Sequence, residues 1–390
     1  MDRLYFDNAA STPLYPEVAE AMLPYLLEHY GNPSSIHHHG RQLRAAIEGA
    51  RKTVADALGC SPAEIVFTSG GTEADNMVLK GAAVGLGIRH IITSRLEHHA
   101  VGHSVDYLAA HHNVRLSYLE PDSEGNLSLT DLEALLKASQ VWQEPTLVSL
   151  MHGNNEIGTL LPLEAVGELC AQYGARFHSD SVQTVGHLPL DTRRLKVDYL
   201  VGSAHKFHGP KGVGFLYVRA GATVPSLICG GGQERNQRAG TENVAAIVGL
   251  AAALKQSVDH LESHLTHLQD LKAYAVARLS AAIDGVAFNG PTDARTSLPT
   301  VLNVAFPGHE AESLILFNLD LHGVSASGGS ACTSGATQGS HVLQALGLSP
   351  ERVANSVRIS FGSQNTRADI DALLERLARF MPLRLAAATA

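Results

Sequence analysis

Between about residues 45 and 220, short apolar runs alternate with segments whose apolar residues recur at helical spacing, and this alternation limits the available folds more than any other feature. The runs "EIVFTSG" (64–70), "HIITSRLEH" (90–98), "VRLSYLE" (114–120), "TLVSLMH" (146–152), "ARFHSD" (175–180), "VDYLVGS" (197–203) and "GVGFLYV" (212–218) read as strands. Segments such as "PLEAVGELCAQYG" between them read as helices. Strand–helix alternation predicts an α/β fold with a mostly parallel sheet covered by helices on both faces. Beyond residue 245 one long helical stretch is expected through "LKQSVDHLESHLTHLQDLKAYAVARLSAAI", leading out of the sheet. A smaller α+β unit should follow, built from "TVLNVAF", "VRISFG" and the helix "ADIDALLERLARF". The expected division is a large domain over 15–255 and a small one over 1–14 and 256–390, the latter holding a cysteine-bearing loop at about 323–340.

In open α/β sheets ligands bind beyond the carboxyl ends of the strands. Those ends are rich in polar residues here: Ser69-Gly70-Gly71-Thr72, Glu97-His98, Asn154-Asn155-Glu156, Asp180 with Gln183, and Ser203, His205 and Lys206. A formal net charge of −9 and the lack of a basic run argue against nucleic acid or an anionic membrane as partner. No apolar h-region opens the chain and no stretch reaches the length of a membrane span, so a cytoplasmic protein is expected. The four cysteines form no C-x-x-C pair, and disulfides among them are not expected. Cys170 reads as core and Cys60 as structural. The histidines at 37–39, 98–99 and 111–112 lack the carboxylate-supported spacing of a metal site, so none is assigned.

"TSGGTEADN" (68–76) follows a strand and opens a helix. Paired glycines and a helix N-terminus suit a phosphate, with the Thr72 hydroxyl completing the cradle; a plain β-to-α turn capped by Thr72 is an equal alternative. Asp180 either caps a helix or pairs with a cationic ring nitrogen. Most lysines are solvated, but Lys206 sits at a strand end between Ser203, His205 and "FHGPKG", opposite Asp180. A desolvated lysine of that kind can condense with an aldehyde. Phosphate cradle, aspartate and lysine together are what pyridoxal 5′-phosphate requires. In "SGGSACTSG" (327–335) a single thiol, Cys332, lies among glycines and hydroxyl residues, with nothing apolar nearby to bury it.

The chain resembles the cysteine desulfurases, pyridoxal-phosphate enzymes of the fold type I, aminotransferase-like architecture. The resemblance runs through "YFDNAASTPL" (5–14), "GNPSSIHHHGR" (31–41), "EIVFTSGGTEADN" (64–76), "EHHAV" (97–101), "MHGNNEIGTLLP" (151–162), "FHSDSVQTVG" (177–186), "SAHKFHGPKGVGFLYVR" (203–219), "GGGQERNQRAGTEN" (230–243), "SGGSACTSG" and "SVRISFG" (356–362). The long loop around Cys332 is similar to that of the subgroup holding the housekeeping and nitrogen-fixation enzymes. The resemblance implies that Lys206 holds the cofactor, that His98 stacks on its ring, and that Asp180 keeps the ring nitrogen protonated. It further implies that Gln183 bonds the phenolic oxygen and that Gly71, Thr72, Ser203 and His205 take the phosphate. Thr241 is expected to reach the phosphate of a neighbouring subunit in a homodimer. Arg358 with Asn155 is expected to hold the carboxylate of L-cysteine. Lys206, with His98, would move protons, and the Cys332 thiolate would take the sulfur as a persulfide and pass it to an acceptor protein, leaving L-alanine.

Several positions depart from that pattern: "ATQGS" after the cysteine, Ser363 in "FGSQNT", Ser181 and Ser11. The sequence ends at "LRLAAATA", short of the tail that helps housekeeping members receive a scaffold protein, so acceptor choice is expected to differ. A selenocysteine lyase is the rival enzyme, and an inactive scaffold of the same fold the rival outside catalysis; intact Lys206 and Cys332 argue against the latter.

Overall fold

The seven apolar runs form seven strands of one sheet in the computed structural model, which describes residues 3–307, 315–329 and 339–383. With β1 at Leu4–Tyr5, they are β2 (Ile65–Thr68), β3 (His90–Ser94), β4 (Arg115–Leu119), β5 (Thr146–Ser149), β6 (Arg176–Asp180), β7 (Tyr199–Ser203) and β8 (Gly214–Val218). Their order is β2-β8-β7-β6-β5-β3-β4. Pairs β7–β6, β6–β5, β5–β3 and β3–β4 are parallel; β8 runs antiparallel to both β7 and β2. Every residue of β2, β3, β5, β7 and β8 is buried, as strands covered on both faces must be.

Alternate residues serve two different cores. Ile65, Phe67, Phe177, Leu200 and Phe215 join one cluster with Leu43, Ile47 and Leu250. Val66, Ile91, Tyr199, Val201 and Leu216 join the other, against Ala74, Met77 and Val78 of the helix Gly71–Gly85. The strand period of two thus decides which side of the sheet each strand-end side chain continues.

The long helical stretch expected across 254–283 is two helices, Val244–Asp259 and Leu261–Ala282, bent by 73° at His260. The bend has a packing cause. Leu250, Ala253 and Leu254 face the large-sheet core, whereas Leu268, Leu271, Ala275 and Leu279 face a third cluster with Phe6, Leu302, Val357 and Leu373. One straight rod cannot serve both, and His260 (φ −110°, ψ 14°) ends one helix and starts the next. Among the described residues no single helix is long and apolar enough to cross a membrane.

The third cluster is built on an antiparallel sheet of β9 (Ala287–Asn289), β10 (Val301–Ala305) and β12 (Ser356–Ser360), in the order β12-β10-β9. The N-terminal β1 pairs in parallel with β11 (Val324–Ser325), and Asp7 bridges to Ser360. These pairings carry residues 4–12 between the two larger sheets and bring them to the strand ends where the polar residues gather.

Candidate active site

A cavity of about 200 Å³ opens at the carboxyl ends of β6 and β7, beside the N-terminus of the helix Gly71–Gly85. Asp180 and Gln183 reach it from β6 and the turn after it, Ser203, His205 and Lys206 from the end of β7. Gly71 and Thr72 enter from the helix, and His98, Asn155 and Arg358 complete the wall. Ten of the twelve site residues singled out in the sequence are therefore brought together, if Gly71 is counted with the side chains. Thr241 does not line the cavity and lies exposed before the helix Val244–Asp259. Cys332 lies outside the described residues. A larger groove of about 780 Å³, walled by Leu161, Leu190 and Leu254 among others, holds none of these residues. Its size marks a loosely covered surface; the convergent polar groups mark the chemistry.

At one end the site is built for an anion. Gly70 (φ +156°) turns the chain out of β2, and the helix begins at Gly71, so its first N–H groups face the cavity end. Gly71 is required by close approach, since a Cβ there would come within 2.8 Å of Val182 Cγ2. A further cavity of about 380 Å³ shares Gly71, Thr72, Ser203 and His205 and continues past Lys211 and Gly212. Burial, then the charges of Lys206 and Lys211, push the His205 imidazole down to about 4, so it is neutral near pH 7.

The opposite end concentrates buried acids. Asp180 accepts the Val182 N–H at 2.9 Å through Oδ1. Burial raises its carboxyl above the ordinary range, opposed by the nearby His98, the Val182 N–H and Lys206. Such a carboxylate wants a cationic N–H partner. Two further acids stand behind it: Glu97, already marked at a strand end, and Asp75, whose place in a helix gave no such mark. Burial also lifts Asp75 and Glu97 well above the carboxylate range, and each is raised further by Asp180. Asp75 Oδ1 lies 3.3 Å from His178 Nε2, and burial pushes that imidazole down to about 3. The short distance thus joins a neutral imidazole to a carboxyl whose protonated form burial favours. Both residues were findable: Asp75 is one helical turn from Gly71, and His178 shares a strand face with Asp180.

His98 caps the helix His99–His112, its Nδ1 accepting the Ala100 N–H at 3.1 Å. That assigns the proton of the neutral ring to Nε2. Burial holds its pKa below the usual value, against the pull of Asp180. Lys206 Nζ donates to the carbonyl oxygens of Ala9 and Ala10 at 2.6 and 2.9 Å, and Gln183 Nε2 donates to Ala9 O at 3.0 Å. Backbone acceptors on the N-terminal segment carry no side-chain signature, which is why the sequence did not reveal them.

Arg358 is almost fully buried and already partly engaged. Nη2 pairs with Asp7 Oδ1 at 2.9 Å and Nη1 donates to Asn155 O at 3.0 Å, while Nε is buried without a partner among the described residues. An orphaned guanidinium N–H in a cavity wall fits a carboxylate ligand. The donor set as a whole fits pyridoxal 5′-phosphate: hydroxyls and helix N–H groups for the phosphate, a buried carboxylate for the ring nitrogen, an amide and an amine between them.

Burial pushes the thiols of Cys60 and Cys170 up to about 12, which leaves both unreactive near neutrality; Cys229 is exposed. Among the described residues no group of three or more His, Cys, Asp or Glu is arranged to hold a metal ion.

The family model described as aminotransferase class-V matches residues 4–373. The chain is 44% identical over 380 residues to the cysteine desulfurase IscS of Dictyoglomus turgidum, a match covering 97% of this chain and 94% of that one. Among solved structures, a NifS-like protein superimposes with a TM-score of 0.88 at 38% identity, covering 97% of this chain and 98% of that one. SspA in complex with cysteine superimposes with a TM-score of 0.80 at 33% identity, covering 93% of this chain and all of that one (100%).

Proposed function

The chain belongs to the aminotransferase class-V family and, within it, to the cysteine desulfurases, and from that premise we propose how its own residues divide the work. The enzyme depends on pyridoxal 5′-phosphate, which when bound supplies an electron sink that acidifies the substrate Cα–H and loosens the Cβ–S bond. The observation that carries the residue assignment is the convergence of Lys206, Asp180, His98, Gln183, Asn155 and Arg358 on one cavity.

Thr72, Ser203, His205 and the N–H groups opening the helix at Gly71 take the phosphate. Asp180 keeps a proton on the ring nitrogen, and Gln183 donates to the phenolic oxygen. Arg358, with Asn155, holds the carboxylate of L-cysteine through the N–H bonds that Asp7 and the Asn155 carbonyl leave unused. Lys206 Nζ takes the Cα proton, and His98, neutral with its proton on Nε2, is placed to share in proton transfer. Cys332 Sγ attacks the substrate sulfur as a thiolate. A new S–S bond forms, the C–S bond breaks with its electron pair left on the carbon side, and protonation there completes L-alanine. In sum, cysteine and a thiol become alanine and a persulfide, with no external oxidant. The persulfide then passes to an acceptor, an iron–sulfur scaffold or a thiolation protein.

The working unit is a homodimer. Thr241 is exposed and away from its own chain's cavity, while the adjoining Arg238 is ion-paired at 2.8 Å to Glu73 in the first turn of the helix at the anion end. A second copy would therefore meet Thr241 close to a phosphate site. Leu26, Leu27, Tyr30 and Ile36 are strongly exposed, as a surface covered by a subunit would be. The two domains are 15–255 and the combined 1–14 and 256–390. A reducing cytoplasm suits an enzyme that depends on a free thiol.

The test is incubation with L-cysteine while alanine and sulfide are measured. Wild type should release alanine; Lys206→Ala and Cys332→Ser should not, and Cys229→Ser should behave as wild type. An equally active Cys332→Ser would overturn the persulfide assignment.

A further inference from the structure

The two described ends of the cysteine-bearing segment meet at one buried carboxylate, that of Glu156. Ser340 Oγ donates to Glu156 Oε2 in a short hydrogen bond. From the other end, Gly329 (φ +148°) approaches so closely that a Cβ on it would come within 2.9 Å of the same Oε2 and 3.1 Å of Ser340 Cβ. Residues far apart along the segment thus face each other across a single side chain. Glu156 is itself held firmly: its N–H donates to Asn154 Oδ1 at 2.8 Å, and its carbonyl accepts Asn303 Nδ2 at 3.0 Å.

The same place is joined to the substrate end of the cavity. Asn155, the preceding residue, lines the cavity and gives its carbonyl to Arg358 Nη1. The Arg358 backbone pairs with Ser327, with N···O distances of 2.6 and 3.4 Å, and Ser327 Oγ donates to Asp7 Oδ1 at 2.8 Å, the oxygen that also pairs with Arg358. On the far side His341 Nε2 bonds the Glu97 carbonyl at 2.9 Å, next to His98.

A simpler role for Glu156 would be to cap the helix His341–Ala345. Ser340 Oγ already performs that task, accepting the Leu343 N–H at 3.1 Å. Glu156 is fully buried, and its Oε1 has no hydrogen-bond partner among the described residues, an arrangement that costs stability. We propose that Glu156 is a positioning residue that fixes where the chain carrying Cys332 leaves and rejoins the wall of the active site. It thereby governs transfer of sulfur to Cys332 and not the binding of substrate or cofactor. The inference rests on the reading of Cys332 as sulfur carrier.

The test uses the full-length, cofactor-loaded enzyme and the variants Glu156→Ala, Glu156→Gln, Ser340→Ala and Cys332→Ala. Three quantities are read: cofactor content, the cysteine-concentration dependence of the cofactor's absorbance change, and the single-turnover rate of persulfide formation on Cys332 by mass spectrometry. Glu156→Ala should slow persulfide formation roughly 10- to 100-fold, the penalty of a reacting group displaced by about an ångström. The absorbance titration should stay within about twofold of wild type. Glu156→Gln keeps an acceptor for Ser340 and should stay within about threefold. Ser340→Ala, the milder change should Glu156→Ala fail to fold, should slow the same step and add little when combined with Glu156→Ala or Glu156→Gln. Wild-type persulfide formation in both Glu156→Ala and Ser340→Ala overturns the proposal, as does a parallel loss of substrate binding and turnover. Cys332→Ala separates the two levels. If it still converts cysteine, the sulfur-carrier reading itself fails; if it is dead while the Glu156 and Ser340 variants match wild type, only the positioning role fails.

Discussion

Lys206 Nζ lies 2.6 Å from the carbonyl oxygen of Ala9, and that oxygen also accepts the Gln183 amide N–H at 3.0 Å. A segment that pairs with β11 through β1 and bridges to β12 through Asp7 thus supplies the acceptors that hold the amine of the large sheet. Two backbone acceptors orient the amine, within the field of the Asp180 carboxylate. Lys206→Ala should reduce alanine release by about 10³-fold or more, since it removes the proton carrier and the attachment point together. Borohydride reduction followed by dialysis should retain cofactor in wild type and release it from the variant.

Arg358 gives a second, separable prediction. Replacement by Lys keeps one positive charge but loses the fork that serves Asp7, the Asn155 carbonyl and the free Nε–H at once. Arg358→Lys should lower kcat/KM for cysteine by roughly 10- to 100-fold, mostly through KM, the value of one or two charged hydrogen bonds. Cofactor content should stay near wild type, because no cofactor ligand is removed. Steady-state kinetics with a cofactor absorbance check would decide it.

The sheet was legible in the chain because a strand buried on both faces must be a continuous apolar run, and all seven runs are strands. Most of the site was legible for a related reason, since Asp180, Ser203 and Lys206 stand where such runs end. The sequence did not reveal the break at His260. Helical periodicity continues through it, and only the switch from one core to another bends the chain. Nor did it reveal the carbonyls of Ala9 and Ala10, or what Glu156, marked only as a polar residue beyond a strand, holds; those roles come from contacts with residues far away in the chain.

Asp75 should make the cofactor-free protein less stable as pH rises. Its carboxyl lies 3.3 Å from the neutral His178 ring, both fully buried, and burial with the like charges of Asp180 and Glu97 raises it. A carboxyl whose folded pKa is raised binds its proton more tightly folded than unfolded. Its destabilising effect is therefore absent below the ordinary carboxylate pKa of about 4 and grows as pH rises toward the raised value. Asp75→Asn should melt higher than wild type at pH 8, on the order of 1–2 °C, with the difference shrinking toward pH 5. Thermal melts of the cofactor-free proteins across that range give the answer; a gap independent of pH would assign Asp75 a purely steric role.

Lys272 carries the opposite sign. It is fully buried and donates to Ser297 Oγ at 2.6 Å and Leu298 O at 3.1 Å, and burial pushes its amine down to about 7 against a weaker upward pull from Asp293. Below pH 7 both folded and unfolded chains hold the proton, and the cost of the buried charge is fully present. Between pH 7 and the unfolded value of about 10.4 the folded amine has lost its proton while the unfolded one keeps it, so stability contributed at this site rises with pH. Lys272→Met removes the titration and leaves a pH-independent cost, the loss of a donor to Ser297 and Leu298. The melting temperature of the variant relative to wild type should accordingly be highest at pH 6.5 and fall steadily toward pH 9.5. Parallel curves over that interval would mean that the amine does not change its charge there. Lys272 does not line the active-site cavity, so the kinetic constants for cysteine should hold within about twofold at temperatures where both proteins stay folded.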